Sequence, residues 1–298
     1  MKVITEKGIR YRRNNDAAIL ESCEELEGEI SVPEEIDGAV VIEAEDYAFS
    51  RKRITQLELP RYLKKIGRYT FYRCLTLQKL SFSDSLTDIG AGAFIGCNPK
   101  EVEIDFYQGE KSCLKSILDE VRYAFCVKMH FHKEDGTVET AVVNFPEFYE
   151  EAVENTPARI LEIQFHGAGN RYRQCFYNKE LNFAEYDSLL SWTINEDTEE
   201  WVTNLVAYRL KYPYKLSESA KERYEDYIKA HMNCAGRYFA EKEEMEMLKF
   251  LCENKYFTKE AMDIAIETSA QEKKTEILSM LMDEKRKLFP KQKKSFEF

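Results

Sequence analysis

The sequence has few glycines and prolines, no long apolar run and no excess of positive charge. Its 298 residues include only 12 Gly and 7 Pro, which excludes a collagen-like chain. No stretch approaches the roughly 20 apolar residues of a membrane-spanning helix. Lys and Arg number 43 against 54 Asp and Glu, so we do not expect a nucleic-acid partner, because neutralising phosphates requires excess positive charge. The apolar fraction, 44%, is large enough for a folded core and excludes a disordered chain.

The eight cysteines are scattered and form no CxxC pair, which argues against a disulfide framework and a zinc finger. Reduced, mostly buried thiols are expected. The N-terminus carries charges at short intervals from Lys2 to Asp16, where a secretory signal has about 7–15 apolar residues. We therefore expect a cytoplasmic protein.

An internal repeat opens the chain. The segments Leu57–Lys79 and Leu80–Val102 align without a gap, and six residue types recur at a constant spacing of 23. A degenerate earlier copy spans Ile30–Phe49, and a last partial copy spans Val102–Phe106. The matched pairs are Leu57 and Leu80, Leu63 and Leu86, Ile66 and Ile89, Gly67 and Gly90, Phe71 and Phe94, and Cys74 and Cys97.

Each copy has the pattern of one solenoid coil. Its alternating start, LEL or LSF, predicts a strand of a stacked parallel sheet. The glycine suits a tight bend, and the apolar cluster that follows it fills the interior. Because no coil buries its apolar face alone, the coils must stack and the last one needs a cover. We expect that cover from the Lys111–Cys126 helix or from the hairpin after it.

The pattern LxLPxxLxxIGxxxFxxCxxL resembles the BspA-type leucine-rich repeats that are common in bacteria, over Ile30–Phe106. The resemblance implies a curved solenoid with a parallel sheet on one face, and binding rather than catalysis. Many relatives are secreted or surface-attached, unlike the location expected here. We therefore predict a protein partner, with no cofactor and no metal. The exposed variable positions are the candidate partner-binding residues, namely Glu58, Arg61, Tyr62, Ser81 and Asp84.

The predicted fold class is an α/β solenoid of parallel strands, followed by a mixed connector and an all-helical, ankyrin-like C-terminal region. The predicted parts are residues 1–106, the repeat solenoid with an N-terminal cap, then 107–180 and 181–298. In the connector we predict a hairpin turning at Asp135-Gly136, a short helix over Glu147–Asn155 and a strand ending at Phe165.

Helical periodicity continues from Phe183 onward. Residues 244–285 resemble one ankyrin-type repeat with a helix before it, through helix–short loop–helix spacing and the small Ala265. That resemblance also implies interaction. The predicted helices are Phe183–Ile194, Glu199–Leu210, Ser217–His231, Glu243–Glu253, Thr258–Ser269 and Glu272–Lys285.

Two other functions stay open. The middle region would hold an enzyme site or a small-ligand site if Cys175, His166 and the neighbouring Arg171 and Arg173 converge, since nearby positive charge lowers a thiol's pKa. Alternatively, the chain is a structural scaffold that dimerises through its helices.

Several reactive residue types have simpler interpretations. Cys126, His130 and His132 share one face of a predicted strand, as zinc ligands would, and His166 is a possible fourth. No pair has a standard metal spacing, so ordinary hairpin residues are favoured. Cys74 and Cys97 recur at one repeat position, which favours core packing over catalysis.

The sequence contains three short clusters of basic residues, and in two of them a tyrosine lies between arginines. Such clusters bind RNA or phosphate in some proteins, but the overall acidity favours surface charges that pair with nearby acids. The clusters are Arg10–Arg13, Arg171–Arg173 and Lys291–Lys294.

Overall fold

The computed structural model describes residues 2–3, 8–24, 26–155 and 160–290. The basic cluster Lys291–Lys294 lies outside these residues. The chain forms two compact units, Met1–Glu196 and Asp197–Phe298. The finer division of the sequence into three parts stays a prediction.

The first unit is built mainly from strands, with four short helices. The helices are α1 Leu114–Glu120, α2 Gly169–Tyr172, α3 Phe183–Ser188 and α4 Leu190–Glu196. The strands are β1 Lys2–Val3, β2 Ile9–Asn14, β3 Ala17–Cys23, β4 Glu27–Ser31, β5 Glu35–Ile36, β6 Ala39–Ala44, β7 Arg53–Glu58, β8 Lys65–Ile66, β9 Lys79–Ser83, β10 Asp88–Ile89, β11 Glu101–Phe106, β12 Phe125–His132, β13 Val138–Phe145, β14 Tyr149–Asn155, β15 Ile160–His166, β16 Phe176–Tyr177 and β17 Glu180–Leu181.

Two sheets form the solenoid. The larger has the order β1-β4-β7-β9-β11-β12-β13, parallel up to β12 and antiparallel between β12 and β13. The smaller has the order β10-β8-β6-β3-β2, parallel from β3 to β10. Each repeat contributes one strand to the larger sheet and one to the smaller, which confirms the predicted solenoid of parallel strands.

The matched residues of the repeats meet one another in space. Leu57 pairs in register with Leu80, as predicted from their spacing. The rings of Phe49, Phe71 and Phe94 stack through the interior, with centroids 5.5 and 5.2 Å apart. All three phenylalanines are buried, and burial of each contributes about 2 kcal/mol. A column of identical side chains therefore fills the centre of the solenoid.

The repeated glycines are required for a different reason from the one predicted. A turn follows each glycine, but neither Gly67 nor Gly90 has a positive φ, so the turn itself does not require glycine. A Cβ added to Gly67 would lie 2.5 Å from the nitrogen of Asp46, and one added to Gly90 would lie 2.4 Å from the nitrogen of Arg68. Glycine is needed here because the backbones of adjacent coils touch.

Helix α1 closes one end of the solenoid. Within the stack, the amide of Phe49 donates to the carbonyl of Thr70 in the next coil, at 3.0 Å. In the last repeat, the amides of Gly92 and Phe94 donate instead to the two carboxylate oxygens of Glu120, at 2.6 and 2.7 Å. Glu120 thus replaces the carbonyls of a further coil. Of the two predicted covers, the helix and the hairpin, it is the helix that satisfies these amides of the last repeat.

The connector follows the prediction in part. The hairpin of β12 and β13 forms around Gly136, and strand β15 is present. The helix predicted over Glu147–Asn155 is wrong, because Tyr149–Asn155 is strand β14 and pairs antiparallel with β15. Pairing satisfies the backbone groups of both segments, whereas a helix of this length would rest on local propensity alone. The single helix predicted over Phe183–Ile194 is two helices, α3 and α4.

The second unit is helical, as predicted. Thr258 and Ser217 cap their helices by accepting the amides of Ala261 and Ala220, at 3.1 and 3.3 Å. The sequence prediction missed α7. The helices are α5 Glu199–Lys211, α6 Glu218–Ala230, α7 Met232–Glu241, α8 Met245–Glu253, α9 Lys259–Gln271 and α10 Thr275–Leu288.

Helices α7 and α9 approach closely through small residues. A Cβ added to Gly236 would lie 2.9 Å from the carbonyl oxygen of Ala261 and 3.4 Å from the Cβ of Ala265. The ankyrin-like character of this region stays a prediction. In the described residues, no helix has the length and apolar character needed to cross a membrane.

Candidate functional site

Three of the five candidate residues lie together where the strands of the larger sheet end. We call this the strand-end surface, and it consists of Glu34, Arg61, Tyr62, Asp84, Tyr107 and His132. Apart from Arg61 and Tyr62, which both follow β7, each residue follows or ends a different strand of the larger sheet. Successive coils therefore contribute neighbouring side chains. The repeat spacing therefore builds one continuous surface from residues that are far apart in sequence.

Arg61 is held at the centre of this surface. Its backbone amide donates to both carboxylate oxygens of Glu34, at 2.9 and 3.0 Å. Its guanidinium carbon lies 3.7 Å from the ring centroid of Tyr107 and 5.5 Å from that of Tyr62. Tyr62 is 50% exposed, so an aromatic face and an ordered cation are both open to solvent.

Tyr107 extends the stack to a histidine. Its ring lies 4.3 Å from that of His132, at 16° between the planes. Nε2 of His132 lies 2.6 Å from a carboxylate oxygen of Asp105. Burial, with the charge of Asp105, raises the pKa of Tyr107, so its hydroxyl stays protonated at neutral pH. Arg61, Tyr107 and His132 thus form one ordered stack across three coils.

In the strand-end surface, Asp84 binds the backbone of the segment that carries Tyr107. One of its carboxylate oxygens accepts the backbone amides of Tyr107 and Gln108, at 2.8 and 2.6 Å. Half-buried, it orients the segment that carries Tyr107. Sequence reasoning missed Tyr107, although it lies 23 residues after Asp84, which itself lies 23 after Arg61.

The other two candidates, Glu58 and Ser81, lie on the outward face of the larger sheet. They are paired in register on β7 and β9. The carboxylate of Glu58 accepts the hydroxyl of Ser31 at 2.9 Å. The five candidates therefore divide between the strand-end surface and the adjoining sheet face.

Ion pairs cross that sheet face. Nζ of Lys79 lies 2.8 Å from Glu101 and 2.6 Å from Glu103, and Nζ of Lys128 lies 2.7 Å from Glu101. Burial alone would lower the pKa of Lys79, but the hydrogen bonds to both glutamates raise it to about 12. The hydrogen bond from His130 lowers the pKa of Glu103 to about 2. The face is a charged network with fixed geometry.

Comparison with known proteins identifies the repeats. Residues 42–125 match the family model of the BspA type leucine-rich repeat region, with six copies. This segment is a BspA-type leucine-rich repeat region. A solved leucine-rich repeat protein from T. pallidum aligns at 18% identity over 38% of this chain and 77% of that chain, with a TM-score of 0.22. A search of curated proteins gives no significant match.

The BspA-type region continues beyond Phe106, where the recognisable repeat pattern ends. It includes β11 and α1 and reaches Phe125, the first residue of β12. Strand β12 pairs in parallel with β11, as an ordinary repeat strand would. Tyr107, in the strand-end surface, therefore lies inside the leucine-rich repeat region.

The residues considered as zinc ligands do share one face, but they contact different partners. His130 lies 2.8 Å from Glu103 and 3.3 Å from Thr140, while His132 is held by Asp105. His166 lies on β15, where it contacts Glu151 at 2.9 Å. Over the described part of the chain, no three potential ligands are grouped around a metal position.

The repeated cysteines of the BspA-type region are buried and hydrogen-bonded. Sγ of Cys74 donates to the carbonyl of Phe49, and Sγ of Cys97 to that of Phe71, each at 3.0 Å. Burial raises the pKa of Cys97 to about 12. Their repetition is therefore explained by one contact between adjacent coils, which sequence reasoning described only as core packing.

The surroundings of Cys175 raise the pKa of its thiol, whereas a cysteine nucleophile needs a lowered pKa. It is 1% exposed, its Sγ lies 3.6 Å from the carbonyl oxygen of Arg171, and burial raises its pKa to about 12. The guanidinium of Arg171 lies over the ring of Trp192 at 3.6 Å. These contacts do not supply the lowered thiol pKa that the catalytic alternative requires.

Arg173 is a structural clamp inside the first unit. It is 2% exposed, and burial lowers its pKa to about 10. Its guanidinium donates hydrogen bonds to backbone carbonyls at the end of α1, after β13 and at the start of α2. The acceptors are Leu118, Val121, Tyr123, Pro146 and Gly169.

The basic cluster near the N-terminus pairs with acids. Arg10 forms an ion pair with Glu24 at 2.9 Å, and Arg12 with Glu21 at 3.5 Å and with Glu45. This agrees with the favoured interpretation of surface charges paired with nearby acids.

Proposed function

We propose that this chain is a protein–protein interaction module without catalytic activity, and that its partner docks on the strand-end surface. The observation that supports this most directly is the ordered stack of Arg61 on Tyr107 beside the half-exposed ring of Tyr62. Tyrosine and arginine are enriched among the residues that dominate binding energy at protein interfaces. Leucine-rich repeats elsewhere present extended surfaces of this type.

Arg61 is favoured as the residue that anchors the partner, because its conformation is already fixed before binding. A free arginine side chain loses about 2 kcal/mol of rotamer entropy when it is fixed in an interface. Here the Tyr107 ring and the Glu34 carboxylate already fix the side chain and backbone of Arg61. A partner that binds Arg61 therefore meets a smaller ordering cost than at a mobile arginine.

Charge on the adjoining sheet face would select the partner. Glu58 lies on that face, and the chain as a whole has a net charge of −11, although the acids Glu101 and Glu103 are paired within the chain. We propose that the partner carries positive charge opposite this face, because complementary fields raise association rates. Binding should then weaken as salt is raised.

The test is affinity purification of the tagged full chain from source-cell lysate, at low and moderate salt. Wild type is compared with Tyr62→Ala and Arg61→Ala. We expect a stoichiometric protein that is retained by wild type and lost from both variants, with recovery that falls as salt rises.

The matched control is Tyr177→Ala. Tyr177 is 81% exposed and lies on β16, outside the strand-end surface. If the protein is lost equally from the Tyr177 variant, or kept by both strand-end variants, this surface is not the docking site.

We also propose that the chain is cytoplasmic. Support comes from its eight free cysteines, which are typical of a reducing compartment. Fractionation of source cells with an antibody to the chain tests this, and recovery in the culture medium would refute it.

A further inference from the structure

A second exposed surface lies on the other set of coil connections, those that lead from the smaller sheet to the larger. We call it the arginine–tyrosine ridge, and it consists of Tyr47, Arg51, Tyr69, Tyr72 and Arg73. None of these residues belongs to the strand-end surface. The two surfaces are separated because the connections of a solenoid alternate between its two edges.

The rings of the ridge form one ordered cluster. Tyr47 stacks on Tyr69 with centroids 5.2 Å apart and 16° between the planes. Tyr72 meets Tyr69 edge to face, at 5.9 Å and 88°. Two guanidinium groups flank Tyr72, with the Arg51 carbon 6.0 Å and the Arg73 carbon 5.8 Å from its centroid. Both arginines are exposed but held against an aromatic face.

The backbone at these arginines is strained. Arg51 has φ of 59° and Arg73 has φ of 58°, in the left-handed region that is unfavourable for residues other than glycine. The equivalent residue in the following repeat is Gly96, which adopts φ of 79° without that cost. Because glycine adopts this conformation in the following repeat, the fold does not require arginine at the position. The arginine side chains at these two positions are therefore not explained by the backbone conformation, which is compatible with a role in binding.

The charges of the ridge are not neutralised within the chain. Some exposed arginines pair with acids, as Arg68 does with Asp46 at 2.9 Å and Arg237 with Glu200 at 3.3 Å. Among the residues that the structure describes, no carboxylate forms an ion pair with Arg51 or Arg73. The ridge therefore presents two adjacent cations whose charge is available to a partner, since the amide of Arg51 donates to the carbonyl of Tyr72, the residue before Arg73.

Exposed aliphatic side chains lie beside the arginines. Ile95 is 47% exposed, and its carbonyl accepts the backbone amide of Arg73 at 2.8 Å. Leu75, two residues after Arg73, is 72% exposed. The ridge therefore offers two cations, aromatic faces and aliphatic contacts within three adjacent repeats.

We propose that the arginine–tyrosine ridge binds an acidic segment of a protein partner, with glutamate or aspartate side chains on Arg51 and Arg73. The guanidinium fork matches carboxylate oxygens in a bidentate geometry. Aliphatic side chains of the same segment pack on Ile95, Leu75 and the tyrosine rings. The partner proposed for the strand-end surface carries positive charge opposite the adjoining sheet face. The chain would then have two docking surfaces, one for a basic partner and one for an acidic segment.

The experiment is fluorescence anisotropy on the full chain with a short labelled peptide of alternating glutamate and leucine. A second peptide has glutamine in place of every glutamate. The test variant is Arg51→Gly with Arg73→Gly, which removes both guanidinium groups and leaves the backbone unstrained. Its melting temperature should equal or exceed that of wild type, so loss of binding is not loss of folding.

Two further variants complete the design. The charge-matched control is Arg10→Gln with Arg237→Gln, two exposed arginines that have acidic partners. Arg51→Lys with Arg73→Lys keeps the charge and removes the planar fork, and it should retain only part of the affinity.

We expect the glutamate peptide to bind wild type in a salt-dependent manner and the glycine variant about tenfold more weakly. The control variant should change affinity less than about twofold. Equal binding of the glutamine peptide, equal loss in the control variant or full binding by the glycine variant would overturn the proposal. Tighter binding of single-stranded DNA of the same charge would also overturn it. Tyr62→Ala should leave peptide binding unchanged, so failure here is separable from failure of the strand-end surface.

Discussion

Gly90 lies so close to Arg68 that a Cβ at Gly90 would be 2.4 Å from the Arg68 nitrogen. Two coils therefore meet backbone to backbone, and no flexible side chain is present to yield. We expect Gly90→Ala to lower the free energy of unfolding by about 3 kcal/mol or more, because the coils must separate. Urea unfolding measures this.

Gly136→Ala is the matched control for that substitution. Gly136 has φ of 83° and no atom within 4 Å of its added Cβ, so only backbone strain of about 1 kcal/mol is expected. Equal costs at the two positions would show that the coils are not in close contact at Gly90.

Glu120→Ala tests the closure of the solenoid. The change leaves the amides of Gly92 and Phe94 without their carboxylate acceptors. Hydrogen bonds to a charged group contribute about 2 kcal/mol, and we expect a loss of that order in the free energy of unfolding. Asp119→Ala, which removes an exposed acid paired with Lys115, should cost less than about 0.5 kcal/mol. A Glu120 variant as stable as wild type would refute the closing role.

The pair of His130 and Glu103 predicts a dependence of stability on pH. Its hydrogen bond raises the pKa of His130 above the ordinary 6.5. The folded state thus holds this proton more tightly, so the contribution is complete below about pH 6.5 and is lost as pH rises through the folded pKa. The urea midpoint of wild type should fall more between about pH 6 and pH 8.5 than that of His130→Gln.

The contribution of Glu103 to stability depends on pH in the opposite direction. The pKa of Glu103 is lowered to about 2, so its contribution is present above the ordinary 4.5 and is lost as pH falls through about 2. Glu103→Gln should flatten the acid limb of the stability profile. If stability depends on pH in the same way in wild type and in both variants, this pair does not determine the pH dependence of stability.

Cysteine labelling tests the catalytic alternative. Seven of the eight thiols are buried, and only Cys126 is partly exposed. Because burial raises the pKa of Cys175 to about 12, its thiolate is scarce at neutral pH. We expect iodoacetamide to label Cys126 of the native chain and to spare Cys175, with Cys126→Ser as the control. Rapid labelling of Cys175 would restore the alternative.

The repeat region was predictable because one physical requirement recurs. Leu57 and Phe71 each meet their copies directly, and the repeated cysteines make the same contact with the preceding coil, so a constant spacing in sequence becomes a contact in space. The end of the pattern at Phe106 was misleading, since β12 continues the sheet with different side chains. Tyr107 would have been found by adding the spacing of 23 once more to Asp84.

Other elements depend on contacts that a single sequence does not reveal. Strand β14 forms because β15 pairs with it, whereas its own composition fits a short helix as well. Helix α7 was missed because Gly236 and its small neighbours weaken the helical pattern, although close packing on α9 requires them. The capping bonds of Glu120 join residues 26 and 28 positions apart and have no local signature.

Glu120 also has a consequence for self-assembly. A solenoid end with open amides would offer a template on which a second molecule could add, and head-to-tail contacts of that kind grow into fibres. At Gly92 and Phe94 those amides are already occupied by a side chain of the same molecule. One carboxylate thus occupies two donors with which a second molecule would otherwise pair.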